Sequence, residues 1–288
     1  MKRLSIFLIA NILLTSWLFA VEWPQEQFNK DDIVSYFGQN IEGSISTSLI
    51  FKDPGEVKAI NDGQILIILD QAQDTNFFPS TLGNAVIICH DDDLISVYAN
   101  LDDESVTENI ESKKTVKEGQ TIGQTGNSGW QKTRSNLEFQ ILDLQKSAAI
   151  NPKILLPRTE NELDYSMTGI MLQNKEGKLF DINENKVYPS GSYKVYQTRN
   201  KIAVPYKTTI TINGVLLDEL DFDTVNQENG RLYVTGEKNK YFALDLYPDD
   251  NLILIGTIML TPGRSTLGLT AQNFLGKVKK QNYIISIY

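Results

Sequence analysis

Residues 126–143 read "GNSGWQKTRSNLEFQILD", a glycine-punctuated loop that runs into a strand. From Asn136 to Ile141 the side chains alternate, with Leu137, Phe139 and Ile141 on one face and Asn136, Glu138 and Gln140 on the other. Period-two alternation marks a β-strand that buries one face. The second face is free to meet water. An amide, a carboxylate and an amide in succession also suit a chemical site.

Working outward, residues 44–157 are short β-runs broken by turn signals, among them "VKAINDGQILIIL", "GNAVIICHDDDLISVYANL" and "TVKEGQTIGQTGNSG". "NDG" (61–63) and "KEG" (117–119) supply glycines for tight turns at positive φ. The helical period is nearly absent, apart from a short helix expected near "PQEQFNKDDIVSYFG" (24–38) in a lead-in covering 21–43. "NPKILLPRTENELDY" (151–165) reads as a boundary, with a charged, flexible linker at 158–164. A second series of strand-length pieces fills 165–288 and predicts a β-sandwich. Within it, "TPGRSTLGLTAQNFLGK" (261–277) resembles the closing hairpin of bacterial immunoglobulin-like domains. The fold class expected is all-β: an antiparallel β domain followed by a sandwich.

Residues 1–20, "MKRLSIFLIANILLTSWLFA", have the basic start, apolar middle and small exit residue of a secretory signal peptide. An uncleaved anchor is the alternative reading of the same run. Removing the leader takes away Lys2 and Arg3 and moves the formal charge from −9 to −11. So acidic a chain gains nothing from counterion release, which argues against nucleic acid as a partner. Cys89 is the one cysteine, so an intramolecular disulfide is impossible, and His90 is the one histidine. Adjacent strand residues point to opposite faces, so these two cannot share a structural zinc ion.

Four phrases, in order, resemble the lysostaphin/LytM family of zinc metallopeptidases. They are "EVKAINDGQI", "GNAVIICHDDDLISVYANL", "TVKEGQTIGQTGNSG", and "SNLEFQI" followed by "INPKILL". The resemblance implies a small antiparallel β domain of the duplicated-hybrid-motif type with a groove, spanning 44–157. It also implies a zinc ion that polarises a peptide carbonyl and activates water. Carried over position by position, that machinery is missing. The metal-ligand positions are occupied by Ser44, Ser48 and Glu138, and the catalytic histidine positions by Asn100 and Asn136. Amides and hydroxyls bind zinc far more weakly than imidazole does, so the ancestral zinc is expected to be lost and no cofactor is expected. His90 matches a family position outside the metal site, where a structural histidine is the simpler reading. "HDDD" (90–93) lacks the spacing of a calcium cage and reads as a solvated turn.

A stripped site in a preserved frame points to an exported, non-catalytic relative acting in the periplasm or cell envelope. The expected role is a scaffold that binds peptidoglycan or a cell-wall hydrolase. Tyr98, Asn100, Trp130, Asn136 and Glu138 are the candidate groove residues. Two other readings are an active metalloendopeptidase with atypical ligands and a structural or adhesive surface protein.

Overall fold

The computed structural model describes residues 21–25, 32–52, 55–70, 80–102, 105–110, 114–131, 135–158 and 162–288. The expected leader and the middle of the expected lead-in helix lie outside these residues. Where that lead-in is described, Ile33–Ser35 is a strand rather than helix, paired antiparallel with Leu49–Phe51. Its apolar ends, Ile33 and the nearby Phe37, are buried in the core, and tertiary packing overrides the local pattern.

Three antiparallel strands, Asn84–Cys89, Leu94–Leu101 and Leu137–Asp143, form the centre of the first unit. Gly63–Leu69 flanks them on one side and Ala148–Ile150 on the other. Leu137, Phe139 and Ile141 face the main core, as their alternation predicts. The opposite face is not simply wetted, because Asn136 and Glu138 are buried too. Gly119 adopts the expected positive φ of 71°. Gly63 does not. Its glycine is required because a Cβ there would lie 2.5 Å from Ile88 Cγ2 and 2.6 Å from the Cys89 carbonyl oxygen.

The second unit is a sandwich of two sheets. Leu179–Asp181, Met171–Asn174, Gly191–Thr198 and Leu252–Leu260 form one of them. Val187–Tyr188, Val278–Ile287, Gly263–Gln272, Lys207–Ile212 and Val215–Asp221 form the other. Side chains such as Val195, Ile210, Leu220, Ile255 and Leu269 are buried in the core. One polar group crosses the layers: the buried Asp218 carboxylate accepts the Tyr241 hydroxyl and the Thr257 N–H, the latter at 2.7 Å. The turn at 273–277 closes as the sequence suggests, with Lys277 N–H donating to Asn273 Oδ1 at 2.8 Å and Gly276 at φ 79°.

The two units share a sheet. After the sandwich strand Val215–Asp221, the chain leaves for a meander of Thr224–Glu228, Arg231–Thr235 and Lys240–Phe242. Its first strand pairs with Ala148–Ile150, matching Ala149 to Val225, so one sheet runs on from the first unit into the second. Asn151, expected at a boundary, is a tie instead. It caps the short helix Pro152–Leu155 and donates its Nδ2–H to the Phe222 carbonyl at 3.0 Å. Nor is the expected linker at 158–164 free where it is described. Glu162 is buried, ion-paired with Lys153, and accepts the Phe274 N–H at 3.0 Å. Burial holds the Lys153 ammonium far below the usual lysine range, at about 7.

Phe222 packs so closely on Gly38 that a Cβ at 38 would meet its ring at 2.6 Å. Replacing Phe222 with Ala should therefore cost about 3–5 kcal/mol. Urea unfolding followed by tryptophan emission for the first unit and by hydrogen exchange of the sandwich strands should give one coincident transition. Two separate transitions would refute the shared core.

Candidate functional site

The polar face of Leu137–Asp143 closes on itself around one carboxylate. Glu138 lies opposite Ala99 on one neighbouring strand and Ile50 on the other, where the small Ala99 leaves room for side chains to converge. Its Oε1 accepts the Ser48 hydroxyl at 2.6 Å and the Gln140 amide at 3.3 Å. Its Oε2 accepts the Trp130 indole N–H at 2.7 Å and the Gln131 amide at 3.3 Å. Gln140 also donates to Ser48 Oγ at 2.9 Å. A buried carboxylate is tolerable only when its lone pairs are met, and here four donors meet them.

Asn100 organises the loop that delivers Trp130. It sits at φ 65°, a left-handed conformation that asparagine tolerates better than most residues. Its Nδ2 donates to the Gly126 carbonyl at 2.9 Å and the Asn136 carbonyl at 2.6 Å, while its Oδ1 accepts the Gly129 N–H at 2.8 Å. Ser128 adds a bond to the Leu101 carbonyl at 2.6 Å. The loop is thereby fixed, and Trp130 stands 43% exposed with its N–H committed to Glu138. Asn136 donates to Gln131 Oε1 at 2.8 Å, and its own Oδ1 has no partner among the described residues.

Two of the sequence candidates fall elsewhere. Tyr98 is fully buried, with its ring 5.2 Å from that of Phe139 and its hydroxyl accepting the Ile60 N–H at 2.9 Å. It pairs with Phe139, so the pleat sends it to the core face, opposite Glu138. It lines no groove. Ser44 pairs with Ile41 in the hairpin Asn40–Ile41 and Ser44–Ile45, where Ile45 takes the buried side and Ser44 the solvent side. It borders a separate depression with Gln227 and Arg231, away from Ser48 and Glu138.

The remaining donors do not suit a zinc ion. The positive ends of an indole N–H, a hydroxyl and two amides already converge on the Glu138 oxygens, where a cation would have to displace them. Among the described residues, no group of three His, Cys, Asp or Glu side chains comes together. His90 lies apart, its Nδ1–H donating to the Asp62 carbonyl and its Nε2 accepting from Ser96, both at 2.7 Å. Burial lowers its pKa, which favours the neutral ring those two bonds require.

Beside the Glu138 cluster lies a cleft of about 490 Å³, lined by Ser35, Gln39, Glu42, Trp130, Asn136 and Lys201 among others. Only Trp130 and Asn136 were legible in advance. Ser35, Gln39 and Glu42 come from the lead-in and Lys201 from the second unit, and no local sequence signal marks any of them.

An antiparallel β frame with a glycine-rich loop folded over a polar strand face is that of a peptidase-like domain, and its groove is filled by side-chain hydrogen bonds. Comparison with known proteins agrees. The sequence model of Peptidase family M23 matches residues 46–152. A second family model matches residues 164–288. An uncharacterized protein of Treponema pallidum (strain Nichols) is 33% identical over 131 residues, covering 43% of this chain and 87% of that one. Cell division protein DipM of Caulobacter vibrioides (strain NA1000 / CB15N) is 26% identical over 141 residues, covering 47% of this chain but only 21% of DipM. Among solved structures, a mutant catalytic domain of the prophage-encoded M23 protein EnpA from Enterococcus faecalis aligns at 21% identity with a TM-score of 0.32. That alignment covers 42% of this chain and 88% of the other.

Glu138→Ala strips four donors of their acceptor and should lower stability by about 2–3 kcal/mol, against about 1.5 kcal/mol for Ser48→Ala. Thermal melts give the ordering, and Trp130 emission should change most in the Glu138 variant. A second prediction concerns acid. The folded pKa of His90 lies below its unfolded value of about 6.5, so the unfolded state binds the extra proton first. Stability should fall as pH drops through about 6.5 and level off below the folded value. In His90→Gln that slope should flatten in urea titrations run across the same range.

Proposed function

We propose that this chain is an exported, non-catalytic relative of the M23 peptidases that acts in the cell envelope. Its role is to bind peptidoglycan or to regulate cell-wall hydrolases. The observation that carries the reading is the saturation of Glu138 by Ser48, Trp130, Gln131 and Gln140. The residue that stands in a metal-ligand position has become the acceptor at the centre of a hydrogen-bonded plug, while the strand frame around it is intact. Such a domain keeps a recognition surface and gives up water activation. The basic-apolar leader supports export. Similarity to a cell division protein supports an envelope role.

The second unit serves as a fixed wall beside the first. An immunoglobulin-like reading is favoured by the parallel pairing of Val187–Tyr188 with the last strand, together with the antiparallel pairing of Gly263–Gln272 with its neighbours on both sides.

The mature protein, purified without chelator, should carry substoichiometric zinc by elemental analysis. It should also sediment with isolated sacculi or stimulate a cell-wall amidase in a dye-release assay. Absence of both wall binding and stimulation would remove the reading, and one tightly held zinc per chain with hydrolysis of wall peptides would replace it with an active enzyme.

A further inference from the structure

A second, smaller cavity of about 120 Å³ shares no lining residue with the cleft beside Glu138. Trp23 reaches it from the lead-in, Lys153 and Arg158 from the end of the first unit, and Tyr206 and Phe274 from the sandwich. Its walls are aromatic. The Tyr206 and Phe274 rings stack with centroids 4.3 Å apart, and the Trp23 indole is fixed by its N–H, which donates to the Pro157 carbonyl at 3.0 Å.

Among these rings lies an ion pair taken out of water. The side chains of Lys153 and Glu162 are 6% and 3% exposed, and both residues line the cavity. Lys153 Nζ stands 5.0 Å from the centre of the Phe274 ring and 4.4 Å from that of Tyr36. Glu162 is held in turn by the Phe274 N–H at 3.0 Å. Burial disfavours both charged forms, and one proton passing from ammonium to carboxylate neutralises the two together. The amine so released is a nucleophile, and its pKa is already down at about 7. Arg158 adds an exposed cation to the lining, with no ion pair among the described residues.

We propose that Lys153 is a covalent attachment site for a small aromatic aldehyde that carries a carboxylate. The ring packs against Trp23 and the Tyr206–Phe274 stack, the carbonyl carbon meets Lys153 Nζ, and the carboxylate reaches Arg158. A cavity of about 150 Å³ holds benzene, so about 120 Å³ suits one ring whose substituents project from it. Glu162 takes a proton from the ammonium, the amine nitrogen bonds to the carbonyl carbon, and the carbonyl oxygen takes that proton as a hydroxyl. Glu162 next removes a proton from the nitrogen and passes it to the hydroxyl, which leaves as water while the nitrogen lone pair closes the C=N bond. The product is a protonated imine paired with the Glu162 carboxylate, and no oxidant or reductant is consumed. The inference is independent of wall binding and goes beyond it.

The test is to incubate the mature protein near pH 7 with 4-carboxybenzaldehyde and cyanoborohydride, which fixes the imine as a secondary amine, and to map the adduct by mass spectrometry of the digest. A surface lysine with a pKa near 10.4 keeps on the order of one amine in a thousand neutral at that pH, so Lys153 should be labelled at least about tenfold ahead of any other lysine. The α-amino terminus, with a pKa of about 8, also reacts and is told apart by its position in the digest. Benzaldehyde, which lacks the carboxylate, should label Lys153 roughly tenfold more slowly, as expected for one lost charge-assisted bond, and Arg158→Met should erase that difference. The labelling rate at Lys153 should climb through the pKa of its amine, about 7, and then level off. Of the other groups facing it, Glu162 and Arg158 keep their charge there, while burial pushes the Tyr36 and Tyr206 phenols up to about 12 and leaves them neutral. Lys153→Arg keeps a cation opposite Glu162, so the chain should fold and lose the label. Labelling spread over the surface lysines, or an unlabelled Lys153 in otherwise intact folded protein, overturns the proposal. Equal labelling of Lys153 by the two aldehydes overturns it as well, by showing a reactive amine with no site for the carboxylate.

Discussion

A carboxylate taken out of water must be satisfied where it lies, and the architecture of the groove follows from that requirement at Glu138. Each of its oxygens takes two donors, and the four come from three places: Ser48 from just before the strand Leu49–Phe51, Gln140 from two residues along, Trp130 and Gln131 from the glycine loop. Meeting the charge therefore fixes the loop, and the fixed loop presents the indole. An isolated carboxylate here would cost several kcal/mol, so any change to one donor is felt by the others. The groove is held shut by electrostatics and open at its side by shape.

Continuity between the two units follows a different logic. Ala148–Ile150 would be an edge strand if the first unit stood alone, with unpaired N–H and C=O groups facing out. Thr224–Glu228 covers that edge, and Asn151, just beyond it, bonds the Phe222 carbonyl. The second unit is therefore part of what keeps the first from exposing a pairing surface. It also brings Lys201 to the cleft.

Much of this was written locally and was legible. The alternation of Leu137, Phe139 and Ile141 gave the strand, and the positions of Ser48, Glu138, Asn100 and Asn136 gave the loss of imidazole donors. Tyr98 was misplaced because the strand Leu94–Leu101 is buried on both faces, so its own pattern cannot say which face looks into the main core. Cross-strand pairing with Phe139 decides that, and pairing is not local. Ser44 was misplaced because a hairpin reverses the chain just before Ser48. The run from 158 to 164 looked like a linker by composition, yet the Glu162 side chain is buried because Lys153 and Phe274 meet it from afar, with the Tyr36 and Phe274 rings against that lysine. Lys201 had no signal at all, since an exposed lysine in a polar loop acquires meaning only from what stands across from it.

The geometry of Asn100 bears on how such a site changes over generations. Its amide imitates a stretch of main chain, bridging two carbonyls and one N–H, and its left-handed backbone accommodates that bridge. Restoring an imidazole there would sever all three links and place a bulkier ring on a backbone that resists it, before any metal could repay the loss. On the proposed non-catalytic reading, the stability of the loop itself opposes a histidine at this position.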